Sequence, residues 1–219
     1  MQLSETTIQV LRNFASINPS IKILQGSTLA TVAEAKNILA KATIPDEFPQ
    51  EFGIYDLNSF LSTISLVDNP FLKFEEKFVT ITGNRTRVKY FFDMTQEKGK
   101  TDIIMPEPVV KFTLTQADLA ALKKAAGTLG HDQIVIQRED KSIKISVMDV
   151  ENATSNVFSI DMEGELIPDK DFKFVFNIAN LKMIGGDYVV EISDKLISRF
   201  VNTESELEYF VAVERTSEY

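Results

Sequence analysis

His131 is the residue of this chain best suited to acid–base or metal chemistry. It lies in the sequence Gly130-His131-Asp132, where an imidazole beside a carboxylate has the composition of a general base or a metal ligand. It is also the one histidine in the chain, so no second imidazole is present to complete a metal site. Its position directly after a predicted helix favours a turn residue instead.

Two clusters of carboxylates also have the spacing of acid–base pairs. Asp149 lies close to Glu151, Asp169 lies close to Asp171, and both clusters occupy turn-like sequence. No nucleophile motif, phosphate-binding glycine loop or dinucleotide-binding motif accompanies them. The chain has no cysteine for thiol catalysis or a zinc site. The sequence therefore predicts a protein that is not an enzyme and has no cofactor and no metal.

The charge of the chain argues against a simple basic DNA-binding domain. The net charge is −9, and it is uneven: residues 1–109 hold 11 basic and 13 acidic side chains, whereas residues 110–219 hold 12 and 19. The composition is that of an ordinary globular protein, with 44% hydrophobic and 25% charged residues. No apolar run has the length of a membrane span, and no signal peptide is evident. We expect a soluble, intracellular protein.

The elements that must position any functional residues occur twice. The segment Leu3–Ala15 resembles Leu114–Ala126, and each begins with a Ser/Thr cap followed by apolar residues at helical spacing. This pattern predicts helices at about 4–17 and 115–128. A second pair, Phe52–Leu61 and Phe172–Leu181, has alternating apolar residues followed by an Asp or Asn that can cap a short helix.

Strand-rich segments surround these helices in both halves. In the second half, the segments 133–138, 142–148 and 156–162 have strand character. A charged stretch with two prolines, 98–109, predicts an extended connector. We therefore expect an α+β protein with an N-terminal domain over 1–97 and a C-terminal domain over 110–219. Duplication alone leaves a sandwich or a lectin-like fold open.

Several short segments, in order along nearly the whole chain, resemble the DNA polymerase sliding clamp of T-even-type bacteriophages. The residues that carry this resemblance are Asn13-Phe14-Ala15-Ser16-Ile17-Asn18, Ile54-Tyr55-Asp56-Leu57-Asn58, Phe60-Leu61, Ser65-Leu66-Val67, Phe176-Asn177-Ile178-Ala179-Asn180, Lys182-Met183 and Tyr209-Phe210-Val211-Ala212-Val213-Glu214. The stretches 68–105 and 163–171 fit the family less well.

The resemblance implies a fold, an assembly and a set of partners. The fold is two processivity-fold domains, each with two short inner helices backed by antiparallel β-sheets. Three such chains form a homotrimer, a head-to-tail toroidal ring around duplex DNA. The family binds DNA non-specifically, is loaded by an ATP-dependent clamp loader and confers processivity on the replicative DNA polymerase. In these phages it also supports late transcription, in the cytoplasm of the infected host cell and without a membrane.

A ring that slides on DNA needs a few basic residues on the helices that face its hole, and the resemblance directs attention to four. Arg12 lies on the first predicted helix, Lys123 and Lys124 lie on the third, and Lys182 lies on the fourth. The second helix, Asp56–Leu66, has no basic residue. The alternative is that all four are ordinary solvated side chains on amphipathic helices.

The family's subunit junction predicts two strands that pair between neighbouring chains. The first is 85–92, where alternation places Arg85, Arg87 and Lys89 on one face and Val88 and Tyr90 on the other. The second is 156–163, with Phe158, Ile160 and Met162 on one face and Asp161 and Glu163 available for ion pairs. The alternative is that the three basic residues solubilise an unpaired edge.

In the family, peptide tails of partner proteins dock on the C-terminal domain near the connector. Ile103, Ile104 and Met105 are apolar residues in an otherwise polar connector, so they are candidates for that pocket. The alternative is that they hold the connector on a sheet. For the whole chain, the alternatives to a clamp are a trimeric β-rich viral structural protein without DNA-encircling activity and a nuclease-like hydrolase, which the missing catalytic residues disfavour.

Overall fold

The structure is a computed structural model that describes residues 1–96, 99–152, 154–166 and 170–219. The chain divides into two units, Met1–Ile103 and Ile104–Tyr219. Among the described residues, no helix combines the length and the apolar character that a membrane-spanning helix needs.

The described residues of unit 1 form two α-helices and seven strands. In chain order they are α1 (Glu5–Ile17), β1 (Ile21–Ile23), β2 (Gly26–Val32), β3 (Ile38–Phe48), β4 (Phe52–Ile54), α2 (Leu57–Ser65), β5 (Phe71–Phe74), β6 (Phe78–Thr82) and β7 (Arg87–Phe91). All pairings within the unit are antiparallel: β1 with β4, β2 with β3, and β5 with β6 and then β7.

Helix α1 begins at the predicted cap and is tied to β3. The Ser4 hydroxyl accepts a hydrogen bond from the Thr7 amide at 3.2 Å. The Asp46 carboxylate accepts hydrogen bonds from both the Ser4 amide, at 2.7 Å, and the Ser4 hydroxyl, at 2.8 Å. Val10, Leu11 and Phe14 form the buried stripe of the helix. Burying each such side chain stabilises the fold by about 1.5–3 kcal/mol.

In the part of unit 2 that the structure describes, there are one α-helix, one short 3-10 helix and nine strands. In chain order they are β8 (Val110–Leu114), α3 (Gln116–Leu129), β9 (Gln133–Glu139), β10 (Ser142–Val147), β11 (Phe158–Met162), β12 (Gly164–Leu166), β13 (Lys173–Asn177), the 3-10 helix (Ile178–Asn180), β14 (Tyr188–Ser193), β15 (Ile197–Asn202) and β16 (Leu207–Ala212). Strands β11, β10, β9 and β13 form one antiparallel sheet, and β12, β8, β14, β15 and β16 are neighbours in another.

Helix α3 is defined at both ends by its sequence. The Thr115 hydroxyl accepts a hydrogen bond from the Asp118 amide at 3.1 Å, and it donates one to the Asp118 carboxylate at 2.6 Å. At the other end Gly130 has a φ of +71°, a left-handed conformation that glycine adopts without steric cost, and its amide donates to the Ala126 carbonyl. The predicted helices at 4–17 and 115–128 are therefore confirmed.

The fourth predicted helix is a short 3-10 helix, Ile178–Asn180, and the prediction that Lys182 lies on it is wrong. The Asn177 side chain does act as a cap, since its oxygen accepts from the Ala179 amide at 2.9 Å, but the helix ends at Asn180. Beyond it, Leu181 and Met183 are buried and Lys182 is exposed. Lys182 thus follows the 3-10 helix, in a segment that forms neither a helix nor a strand.

Candidate functional site

The basic residue of α1 lies on the solvent face of that helix. Arg12 is exposed, and so are Glu5, Gln9 and Ser16, which share its face at helical spacing. The opposite stripe of the helix is buried in unit 1. The helix therefore presents the Arg12 guanidinium away from its own core.

Helix α3 presents two basic side chains in the same way. Its buried residues are Leu119, Leu122 and Ala126, whereas Lys123 and Lys124 are exposed. Within the described part of the chain, neither lysine forms an ion pair, and the same is true of Arg12. Although Lys123 is exposed as a residue, desolvation around its ammonium lowers its pKa.

Lys123 and Lys182 line one shallow hollow of unit 2. The hollow lies between the C-terminal half of α3 and the 3-10 helix, and its other lining residues are Ala126, Gly127, Gly130, His131, Asp132, Ile178, Ala179 and Leu181. The structure therefore brings two of the four predicted basic residues together. Lys124 lies next to them on α3 and outside the hollow, and Arg12 belongs to the other unit.

The solvent face of α2 is polar and uncharged, as its sequence requires. Asn58, Ser59, Ser62 and Ser65 are exposed. The Ser65 hydroxyl donates to the Ser62 carbonyl at 2.7 Å, so part of this polarity is satisfied within the helix. This face can approach an anion without repelling it but supplies no positive charge.

Strand β7 has one paired edge and one open edge. Within the described residues it pairs only with β6. Arg87 and Lys89 are exposed, while Val88 and Tyr90 on the other face are half-buried, so the predicted alternation is observed. Arg85 lies before the strand, in the turn from β6.

Strand β11 is the corresponding open edge of unit 2, since within the described residues it pairs only with β10. Phe158, Ile160 and Met162 are half-buried and Asp161 is exposed. Lys144 of β10 lies directly opposite Asp161, and it forms an ion pair with Glu139. Glu163 lies between β11 and β12 and belongs to neither strand.

The sequence prediction did not select the two exposed apolar residues at these edges. Phe91 at the end of β7 is 68% exposed, and Val157 just before β11 is 52% exposed. An apolar residue at a position that alternation assigns to the solvent face is the sequence signal that identifies both.

Along the chain, unit 1 ends at Ile103 and unit 2 begins at Ile104, so the candidate pocket residues belong to both segments. Ile103 is 39% exposed and Ile104 is 91% exposed. That exposure excludes a role for Ile104 in holding the connector on a sheet. The connector helps to line a recess in unit 1, and it does so through Gly99, Thr101 and Asp102.

His131 and Asp149 have structural partners. The His131 Nε2 lies 3.0 Å from the Asn156 carbonyl, which ties the end of α3 to the loop before β11. The Asp149 carboxylate accepts a hydrogen bond from the Glu151 amide at 2.9 Å, a turn within the loop. Asp169 lies outside the described residues. The described residues contain no group of three or more side chains suited to hold a metal ion.

Two family models match separate segments of this chain. Residues 4–101 match the family described as DNA polymerase processivity factor. Residues 111–215 match the one described as gp45 sliding clamp, C terminal.

Full-length relatives and solved structures agree with these matches. The sliding clamp of Vibrio phage KVP40 is 38% identical over 225 residues, which cover 98% of this chain and 99% of that protein. The sliding clamp of Escherichia phage RB69 is 32% identical over 235 residues, covering 99% and 98%. A chain of the PCNA2–PCNA3 complex from Sulfolobus tokodaii superposes with a TM-score of 0.70 at 13% identity, covering 98% and 99%. That structural similarity confirms the predicted clamp fold.

Proposed function

This chain belongs to the gp45 sliding clamp family of DNA polymerase processivity factors, and we propose that three copies of it close head to tail around duplex DNA. The observation that carries the proposal is the exposure of Arg12, Lys123 and Lys124 on helix faces opposite the buried stripes of α1 and α3. The viral structural protein is not favoured, since the relatives are named sliding clamps.

The proposed DNA contacts are few, and each of them is weak. Non-specific contacts to phosphates typically give a Kd of about 10⁻⁴ to 10⁻⁶ M at physiological salt, so a protein held by them can slide. Helix α3 has 14 residues and a length of roughly 21 Å, which is enough to reach phosphates of both strands. Lys182, beside Lys123 in the hollow, would add a contact at the end of that helix.

The proposed partner proteins would bind to surfaces of the ring, which has no catalytic role in this proposal. We propose the replicative DNA polymerase and an ATP-dependent clamp loader as its partners, with late-transcription factors as a further class. The chain would act without catalysing a reaction. In this scheme Ile103, Ile104 and Met105 contribute to the surface on which partner tails dock, and Ile104, which is 91% exposed, is the most accessible of the three.

The DNA-facing assignment is tested by removing its charges. We expect that changing Arg12, Lys123, Lys124 and Lys182 to Ala reduces loader-dependent processive synthesis, because each lost phosphate contact lowers the number of counterions released. The loss should be largest at low salt and shrink as salt is raised, because the wild type makes more phosphate contacts and so has the steeper salt dependence. Light scattering should show an unchanged oligomer.

A matched control distinguishes position from total charge. Lys77, Lys141, Lys195 and Arg215 are exposed side chains in turns and in the C-terminal tail, and their change to Ala alters the net charge equally. This control variant should support synthesis like the wild type. If the first variant is as processive as the wild type at every salt concentration, other residues line the hole.

A further inference from the structure

The sheet formed by β5, β6 and β7 has one face in the core of unit 1 and one face in solvent. Leu72, Val79 and Ile81 are buried on the first face. The strand pairings place the alternate residues of all three strands together on the second face. We call this second face the cationic–aromatic face, because its side chains include Phe71, Lys73, Phe78, Arg87, Lys89 and Phe91.

Phenylalanine rings lie at two ends of the cationic–aromatic face. Phe91 is 68% exposed and Phe71 is 50% exposed. The half-buried Phe78 contacts Phe91, with ring centroids 5.6 Å apart. Because Phe71 is in register with Arg87 and two strands away from β7, Phe71 and Phe91 are separated by about 17 Å. Exposed rings on an otherwise polar face indicate a surface that a partner covers.

Positively charged side chains lie between and beside these rings. The Lys89 ammonium is 4.6 Å from the centroid of the Phe78 ring, a cation–π contact. Arg87 is exposed on the same strand, and Arg85 is exposed in the turn that precedes it. Among the residues that the structure describes, none of these three basic side chains forms an ion pair. They are therefore available to an anionic partner.

The charge of this region is opposite to that of the chain. The segment 71–91 has five basic and two acidic side chains, whereas the whole chain has a net charge of −9. One of the two acidic residues, Glu75, is paired with Lys73 at 2.8 Å. A local excess of positive charge on an acidic protein attracts a polyanion to this region rather than to the rest of the surface.

The arrangement of rings and cations favours a nucleic-acid strand over an acidic peptide. Proteins that bind single strands combine a positively charged track with aromatic rings on which unpaired bases stack, and a sheet face can supply both. A peptide gains most of its affinity by inserting side chains into pockets, whereas Phe71 and Phe91 protrude from a sheet. Bases in a duplex are already stacked on one another, so duplex DNA would leave both rings uncovered.

We propose that the cationic–aromatic face binds single-stranded DNA. Bases stack on Phe71 and Phe91, and phosphates contact Arg85, Arg87 and Lys89. The choice of single-stranded DNA rests on the function proposed above, since the template of a polymerase is single-stranded where it is about to be copied.

This site is separate from the helix faces proposed for duplex DNA. The Tyr90 ring on the buried face of β7 contacts Phe60 of α2 with centroids 5.1 Å apart, so α2 packs on the side of the sheet opposite to the cationic–aromatic face. A strand on the cationic–aromatic face therefore leaves the solvent face of α2 accessible.

Tryptophan fluorescence can measure the stacking because the chain contains no tryptophan. In the full-length Phe71→Trp variant, a base that stacks on the indole quenches its emission. We expect single-stranded oligothymidylate of about 12 nucleotides to quench this variant at low salt. Phe91→Trp is a second reporter at the other end, which guards against a folding defect in the first. Ile104→Trp, at a site of unit 2 that is 91% exposed, is the matched control and should keep its emission.

Alanine variants measure the contribution of each ring to the affinity. We expect Phe71→Ala and Phe91→Ala each to weaken binding of the labelled oligothymidylate about fivefold or more, as measured by fluorescence anisotropy. For the wild type, the logarithm of the affinity should fall against the logarithm of the salt concentration with a slope of about −2, because three cations replace counterions on a single strand. Phe71→Ala should leave the oligomer unchanged, since β5 lies two strands from the open edge of β7.

Each contrary result has its own meaning. Equal quenching by a duplex of the same length would overturn the assignment to single strands. A polyglutamate peptide that changes the reporter emission more than the oligothymidylate would assign the cationic–aromatic face to an acidic protein and overturn the proposal. A trimer that supports processive synthesis without quenching of either reporter would overturn this site and leave the ring in place. Quenching in a chain that stays monomeric would support this site and overturn the ring.

Discussion

Tyr90 illustrates how a single side chain connects the open edge of unit 1 to its helices. Its hydroxyl donates to the Asp56 carbonyl at 3.0 Å, and its ring lies edge-on to Phe60 with centroids 5.1 Å apart. Burial raises the pKa of the Tyr90 hydroxyl. The inner face of β7 is thus fixed before any partner arrives, which favours a preformed junction surface.

Ile104 is a residue-scale test of partner recognition. We expect Ile104→Asp to weaken binding of the proposed polymerase partner's peptide tail several-fold in a pull-down, because a charge would replace an apolar contact. The oligomer should persist, since the side chain is 91% exposed. Leu66→Asp, at a site 74% exposed on the other unit, is the matched control. Equal binding by wild type and Ile104→Asp would exclude this residue from the pocket.

Side chains at strand ends were the hardest to predict from sequence. Alternation correctly assigned the faces of Val88, Tyr90, Phe158 and Ile160. It could not show that the strand starts only at Arg87, because the turn that contains Arg85 depends on the pairing of β6 with β7. Strand periodicity reports the face of a residue, whereas the limits of a strand depend on its neighbour.

Among the secondary-structure elements, α1 depends on its cap for its attachment as well as its start. We expect Ser4→Ala to lower the free energy of unfolding by about 0.5–2 kcal/mol, since it removes the Thr7 cap and one of two hydrogen bonds to Asp46. Urea titration at fixed protein concentration measures the change. Thr6→Ala, at an exposed position of the same turn, should have little effect. Comparable stability of both variants would show that the cap contributes nothing.

Helices were predictable where local sequence and packing agree. In α1, α2 and α3 a capping side chain precedes apolar residues at helical spacing, and all three helices form. After Asn177 the cap is present, but the buried residues that follow, Leu181 and Met183, alternate. The duplication predicted a short helix that includes Lys182, whereas the 3-10 helix ends at Asn180 and the burial of Leu181 and Met183 leaves Lys182 outside it.

At the scale of the whole molecule, the acidic charge and the few basic residues have complementary roles in the proposed ring. The net charge of −9 repels DNA from most of the surface, so diffusional binding to the exterior is disfavoured. Exposed basic residues on α1 and α3 then act only on DNA that already passes through the ring. In the proposed ring, this division would allow an acidic protein to act on DNA, and it is consistent with the proposed role of a clamp loader.

A different set of charges, on and next to β7, should affect how the proposed ring closes. We expect reversal of Arg85, Arg87 and Lys89 to Glu to weaken assembly at low salt, because like charges would then face Asp161 and Glu163 of the next copy. High salt should restore part of the assembly, since exposed charges are screened over about 8–10 Å near physiological ionic strength. Reversal of Lys77, Lys141 and Lys195 changes the net charge equally and controls for general repulsion. Light scattering across a salt series measures the oligomer. If the first variant assembles like the control at low salt, β7 lies outside the junction.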